Sequence, residues 1–335
     1  MHSAPVPLDD DAALRAWHAA GLASHVHDRP DAPFWTEDEA VLIVSSDDPE
    51  ERALPFAVHD DDGATAAGGV VFVPLLDNHD KAYAAMNVHP DHRGRGAGDA
   101  AVEHMVAATR AEDRHLLIVT AWFPADSDDT HPVRAFAARH GFELANTEVR
   151  RVLELPLPLA RIRAWVQEAA EHHDGYEIQC FGDDVPEHLQ PSLVDLHNQL
   201  AVDAPTGDID FEAGQMTVET LRHQVRQRRA TGREVLTALA VKDGTTVAHS
   251  TLSIPPRGEM LPHVNQWGTY VDRAHRGRRL GLATKAANLL RLQELYPDRT
   301  LVGTTNSPVN GPMVGINERM GFRQVEIMGE FTRRV

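Results

Sequence analysis

Cysteine is almost absent from this 335-residue sequence. Cys180 stands alone, so no intramolecular disulfide can form and the fold rests on its core. A reducing compartment, the cytoplasm, is the expected location. Cys180 falls in the alternation Tyr176-Glu177-Ile178-Gln179-Cys180-Phe181 and is expected to be a buried strand residue rather than a nucleophile. Long apolar runs are missing too. The longest, Val70 to Leu76, is far short of the roughly 20 residues a bilayer requires, so no membrane span is expected. The start, Met1-His2-Ser3-Ala4 and soon Asp9-Asp10-Asp11, has neither the basic residues nor the apolar stretch of an export signal. Basic charge is scarce: lysine occurs only at 81, 242 and 285, and 32 Lys and Arg face 50 Asp and Glu, a net charge of −18. Such a surface repels phosphate backbones and anionic membranes, and argues against nucleic acid as a partner. It attracts cationic small molecules such as amines.

Apolar residues make up 42% and charged residues 24%, the balance of a globular protein with a core. The length suits two domains, and an internal repeat supports that number. Val88-His89-Pro90-Asp91-His92-Arg93-Gly94-Arg95-Gly96-Ala97-Gly98 aligns without a gap on Val271-Asp272-Arg273-Ala274-His275-Arg276-Gly277-Arg278-Arg279-Leu280-Gly281. Further on, Arg139-His140-Gly141-Phe142 answers Arg319-Met320-Gly321-Phe322 in the same order.

Both halves repeat one local plan. Strand-like runs, Ala82 to Val88 and Val264 to Val271, precede the two loops. Helical patterns follow, with Val102, Met105, Val106 and Thr109 on one face of the first and Leu282, Ala286 and Leu289 on one face of the second. Each half then has a β-rich run (Leu116 to Val119, Leu301-Val302), a short helix ending at Gly-Phe, and a last strand at Glu148 to Leu155 or Gln324 to Phe331. The acidic run His59 to Gly63 and its counterpart Lys242-Asp243-Gly244 read as hairpin turns. The prolines of Leu155-Pro156-Leu157-Pro158 break the chain between the halves. Beyond them Ile162, Trp165, Val166 and Ala169 share one helix face. The expected division is 1–157 and 158–335, with the connecting helix in the second part, and the expected class is mixed α/β.

A strand, an Arg/Gly turn and a helix together make an anion cradle. The first helical turn has unpaired N–H groups and the positive end of the dipole, and glycine lets a phosphate approach the backbone. The chain has no Gly-x-x-x-x-Gly-Lys-Ser/Thr loop, and neither turn supplies Gly-x-Gly-x-x-Gly. Arg93-Gly94-Arg95-Gly96-Ala97-Gly98 fits Arg/Gln-x-x-Gly-x-Gly/Ala and so resembles the acyl-CoA pyrophosphate signature of the GNAT superfamily of N-acetyltransferases. In the second copy Arg279 replaces the glycine at 96, and the shifted frame Arg278-Arg279-Leu280-Gly281-Leu282-Ala283 restores the formula.

The resemblance covers both halves and implies two tandem GNAT domains, each a mixed, mostly antiparallel sheet flanked by helices. It implies acetyl-CoA, or another short acyl-CoA, as co-substrate and direct transfer to a small primary amine. It places Arg93, Gly94, Arg95, Gly96, Ala97 and Gly98 at one pyrophosphate and Arg276, Gly277, Arg278, Arg279, Leu280 and Gly281 at another. Backbone amides at Val88 and Val271 would polarise the thioester carbonyl, and Asn310 would contact the pantetheine arm unless it serves only as a helix N-cap. The first half has Thr130 where the second has Asn310. Many relatives have a tyrosine as acid four residues before the glycine of Gly-Phe, whereas this chain has Ala137 and Asn317. Asp208, Asp210 and Glu212 are candidates for the base, with Tyr270 after them. One half is expected to be catalytic, the second being favoured, and the other degenerate, the protein acting as a monomer or homodimer. No metal is expected, because His172-His173 and the set His25, His27 and Asp28 lack ligand spacing. The competing reading is a non-catalytic acyl-CoA-binding or interaction protein.

Overall fold

The structure, a computed structural model, describes residues 1–127, 130–256 and 263–335. The chain divides into two units, Met1–Thr147 with Gly207–Ile209 and Met328–Val335, and Glu148–Thr206 with Asp210–Ile327.

In the first unit, strand β1 (His2–Pro5) leads into helices α1 (Asp11–Asp28) and α2 (Glu37–Ser45). Asp10 caps α1 by accepting from the amides of Ala12 and Ala13, and Thr36 with Glu39 forms a reciprocal capping box on α2. β2 (Glu51–His59), β3 (Thr65–Pro74) and β4 (Lys81–Val88) form an antiparallel meander. At the β2–β3 turn Asp60 accepts from the amides of Asp62 and Ala64. Helix α3 (Ala97–Ala111) then carries the chain over to β5 (Leu116–Pro124), parallel to β4. α4 (Pro132–Arg139) and the start of β6 (Glu143–Glu154) follow. Val102, Met105, Val106 and Thr109 of α3 are buried, as their spacing predicts. A second cluster joins Leu14, Trp17, Ala40, Val44, Ala57 and Val70 under α1 and α2.

The second unit repeats this order. α5 (Leu159–Ala170) buries Ile162, Trp165 and Ala169. β7 (Glu177–Phe181), α6 (Gln190–Asp203) and α7 (Val218–Ala230) precede the antiparallel strands β8 (Glu234–Lys242), β9 (Thr245–Ile254) and β10 (His263–Val271). Asp243 and Gly244, both at positive φ, make the tight turn between β8 and β9. α8 (Leu280–Leu295) crosses to β11 (Leu301–Asn306), parallel to β10, and α9 (Gly311–Met320) follows. The core gathers Leu153, Ile162, Trp165, Leu252, Leu289 and Phe322 between α5, α8 and the strands.

Two findings depart from the sequence expectations. The last strands are longer: β6 starts at Glu143 in the first unit and ends in the second, and β12 (Arg323–Arg334) starts in the second and ends in the first. Cys180 lies in the edge strand β7 but is exposed, because the core packs against Ile178 and does not extend to Cys180 on the same face.

Candidate functional site: two parted strand pairs, each beside a bare helix start

In the first unit β4 and β5 pair from Lys81↔Leu116 to Ala84↔Val119 and no further. Ala85 to Val88 keep their pairing with β3, so this stretch of β4 has one edge that β5 leaves uncovered. The chain then turns through Pro90–His92 into Arg93 and the loop. Gly94 (φ +71°) and Gly96 (φ +89°) are left-handed, and a Cβ at either would meet nothing within 4 Å. Gly96 is the N-cap of α3 and offers no side chain, so the amides from Ala97 onward face an open mouth that side chains would fill. Gly98 instead serves the packing of α3, since a Cβ there would meet the Phe136 ring at 3.1 Å. Arg95 is exposed and has no hydrogen bond or ion pair among the described residues.

The second unit has the same construction with one addition. β10 and β11 pair from His263↔Leu301 to Gln266↔Thr304 and then part. Against β9, the register of β10 slips by one between Gln266 and Thr269, so Trp267 and Gly268 form a bulge at the parted edge. The Gln266 amide braces it, donating to Thr251 O at 2.8 Å, Ser250 Oγ at 3.1 Å and Trp267 O at 3.2 Å. Gly277 (φ +81°) is open like Gly94. Arg279 takes the left-handed N-cap position (φ +54°), where a non-glycine residue costs about 1 kcal/mol or more. Its guanidinium is drawn onto Glu168 of α5, which also pairs with Arg319. Leu280 opens α8, and Gly281 packs against Ile316. Arg278 lies over the Tyr176 ring at 5.7 Å, Lys242 Nζ over the same ring at 5.0 Å, and the Tyr176 hydroxyl meets His275 Nδ1 at 2.9 Å. The second loop is thus flanked by two cations that no carboxylate neutralises among the described residues.

Each loop is anchored by an arginine–aspartate clamp that the sequence reading missed. Arg93 Nε donates to Val88 O at 3.3 Å, and its guanidinium grips Asp28 at the end of α1 at 2.9 and 2.6 Å. Arg276 Nε donates to Val271 O at 3.1 Å and its guanidinium grips Asp203 at the end of α6 at 2.7 Å. The only hint in the sequence is an aspartate closing the equivalent helix in each half. Asp203 also accepts from Arg273 (2.5 and 2.9 Å) and from the Tyr270 hydroxyl (2.8 Å). Hydrogen bonding from Arg273, aided by Gln199, Tyr270 and Arg276, holds its carboxyl well below the usual carboxylate range despite desolvation. Desolvation and the bond to Asp203 push the Tyr270 phenol up to about 12, so it stays protonated and braces the clamp.

A carboxyl with a lowered native pKa stabilises the fold fully above its unfolded value of about 3.9, and loses that contribution as pH falls toward the native value. Asp203→Asn should therefore flatten the acid side of the stability–pH curve below about pH 4. It should cost about 1–2 kcal/mol at pH 7, because both arginines are largely in solvent. Urea melts from pH 2.5 to 7 test this, and parallel curves for parent and variant would count against it.

The acids expected to serve as bases do not form one group. Asp208 belongs to the first unit, its amide donating to Ala145 O at 2.9 Å, whereas Asp210 and Glu212 belong to the second; all three are exposed. Asn310 is the N-cap of α9, its Oδ1 accepting from Met313 N at 3.3 Å, which leaves its Nδ2 to donate elsewhere. In the first unit His131, the residue after Thr130, caps α4 in the same way. Asn317 is fully buried and donates to Asn306 Oδ1, so it is not placed as an acid.

A strand pair that parts beside a glycine-opened turn and the start of a helix is built twice in this chain. The acetyltransferase (GNAT) family model matches residues 14–142. The chain is 27% identical over 208 residues to the mycothiol acetyltransferase of Rothia mucilaginosa, covering 61% of this chain and 54% of that one. It is 29% identical over 218 residues to that of Sanguibacter keddieii, covering 64% and 62%. The matched part thus spans little more than half the length of these curated relatives. A tandem GNAT protein from the clavulanic acid biosynthesis pathway superposes with a TM-score of 0.79 at 22% identity, over 99% of this chain and 98% of that one. Residues 14–142 thus match the GNAT family, and the chain as a whole has the fold of a tandem GNAT protein.

Proposed function

We propose that this chain is an acetyl-CoA-dependent N-acetyltransferase that passes the acyl group directly to a small primary amine, with the second unit carrying the chemistry. The observation that carries this reading is the bulge at Trp267-Gly268, on the edge of β10 that β11 leaves uncovered. A bulge re-aims backbone groups without recruiting a side chain, and an amide turned toward a thioester carbonyl stabilises the charge that develops there. The paired residues of β4 show no such slip against β3, which fits a degenerate first unit. The loop backbones at 93–98 and 276–281 would receive the co-substrate's phosphates, and Asn310 its arm. The name shared by the two curated relatives supports acetyl transfer to a small acceptor. A cationic amine suits the net charge of −18, and the cytoplasm suits the lone thiol.

The test is thiol release from acetyl-CoA across a panel of primary amines. Turnover with any of them supports the reading. Acyl-CoA binding without turnover favours the binding-protein alternative, to which the lack of a tyrosine at 137 and 317 lends weight. Asn310→Ala should weaken acetyl-CoA binding by about 0.5–1.5 kcal/mol, one hydrogen bond. It should also lower stability by about 1 kcal/mol through the lost cap. Calorimetry and thermal melts separate the two losses, and unchanged binding would leave Asn310 as a cap alone.

A further inference from the structure

Deep in the second unit, His249 of β9 is fully buried, and neither ring nitrogen has a hydrogen-bond partner. A neutral imidazole has one N–H and one lone pair, and burial leaves both of them unmet here. Its ring centroid lies 4.4 Å from that of His197 on α6, at 43°. His197 is half-buried and has no hydrogen-bond partner among the described residues. One turn along the same helix face, Leu200 covers Gly268 of the bulge. A Cβ on Gly268 would meet Leu200 Cδ2 at 2.9 Å and His249 Cε1 at 3.2 Å. The two rings therefore stand beside the bulge on the face of β10 that α6 covers. The aligned position of the first unit carries no ring. By strand pairing, His249 faces Tyr270 as Gly68 faces Asn87, and Gly68 is covered by Trp17.

We propose that His197, backed by His249, is the proton acceptor for acyl transfer in the second unit, an assignment that rests on the function proposed above. The amine lone pair forms the C–N bond to the acetyl carbon, and the C–S pair leaves as the CoA thiolate. The surplus amine proton passes to the free nitrogen of His197 and from there to water, while the thiolate takes a proton from solvent. Both imidazoles are kept in the basic form. Desolvation lowers His249 well below its ordinary value, with His197 adding to the effect. Desolvation, then the Arg228 guanidinium of α7, brings His197 down to about 4. Arg228 is itself paired with Asp183. Negative charge developing on the thioester oxygen and sulfur raises the proton affinity of His197 when the proton must move. His249 is a positioning residue, holding the His197 ring against the bulge.

The experiment compares wild type with His197→Ala, a change at a half-buried helix position. Thiol release is followed with ethanolamine, benzylamine and spermidine as probe amines, with and without added imidazole. The expected result is a fall in kcat of about 100-fold or more, an unchanged KM for acetyl-CoA, an unchanged Tm, and partial recovery with imidazole. Independently of turnover, adding a probe amine together with CoA to the wild type should shift the His197 ring resonances. Turnover in His197→Ala within threefold of wild type, a loss that imidazole does not restore, or an unmoved His197 resonance overturns the proton-acceptor role while leaving the acetyltransferase reading intact. A wild type inactive on every probe amine overturns both.

Discussion

Gly277→Val is expected to weaken acetyl-CoA binding at least about tenfold and to reduce turnover at limiting acetyl-CoA by the same factor, while Gly96→Val leaves turnover near that of the parent. Gly277 sits at φ +81° with open space where a side chain would stand. Valine there is strained by the left-handed backbone and puts a branched group into the mouth through which a phosphate reaches the α8 amides. Gly96→Val does the same to the first cradle, so it should lower the number of acetyl-CoA molecules bound without touching the unit that carries the bulge. Gly281→Val is a useful contrast. Its Cβ would meet Ile316 Cδ1 at 3.3 Å, so its harm should come through the packing of α8 on α9, as a lower Tm. Calorimetric stoichiometry and thiol release on the three variants decide the matter. Loss of turnover in Gly96→Val alone would move the chemistry to the first unit.

The tandem plan was legible because its signals are local. Two Arg/Gly loops at a fixed shift, each between an apolar strand and a helix of 3.6-residue rhythm, place β4, α3, β10 and α8 without knowledge of distant contacts. What escaped is long-range or conformational. Asp28 and Asp203 lie 65 and 73 residues from the arginines that they hold, and nothing nearby in sequence marks them. The bulge has a weak signal in Gly268, an isolated glycine inside a strand, which became meaningful only beside the register of β9. The run Asp208 to Glu212 reads as one acidic loop, yet the Asp208 amide bonds to Ala145 of β6, and Asp208 falls in the first unit while Asp210 and Glu212 fall in the second. Cys180 shares the alternation of Ile178, but only Ile178 packs on the core beneath α8.

Lys285 supports the second large effect, on stability. It is 1% exposed within α8, its Nζ has no hydrogen-bond partner, and its one cationic contact among the described residues is the Phe322 ring at 5.1 Å. At the 183-residue shift that aligns the two loops, its counterpart is Val102, an ordinary core residue. Burial pushes the Lys285 amine down to about 7. In the unfolded chain it titrates near 10.4. Between about pH 7 and 10.4 the unfolded chain therefore binds a proton that the native protein lacks, and stability rises with pH across that window. Below about pH 7 both states are charged, and the full cost of the buried ammonium is present without further pH dependence. Lys285→Met keeps an unbranched chain of similar length, removes the charge, and leaves no polar atom unmet. The variant should be more stable than the parent by about 3–5 kcal/mol at pH 6. The advantage should shrink toward pH 10, because the parent gains stability there while the variant does not. Guanidinium melts at pH 6, 8 and 10 measure both features. Equal stabilities at pH 6 would show that the ammonium is compensated in the native state, and parallel pH profiles would place its titration outside this window.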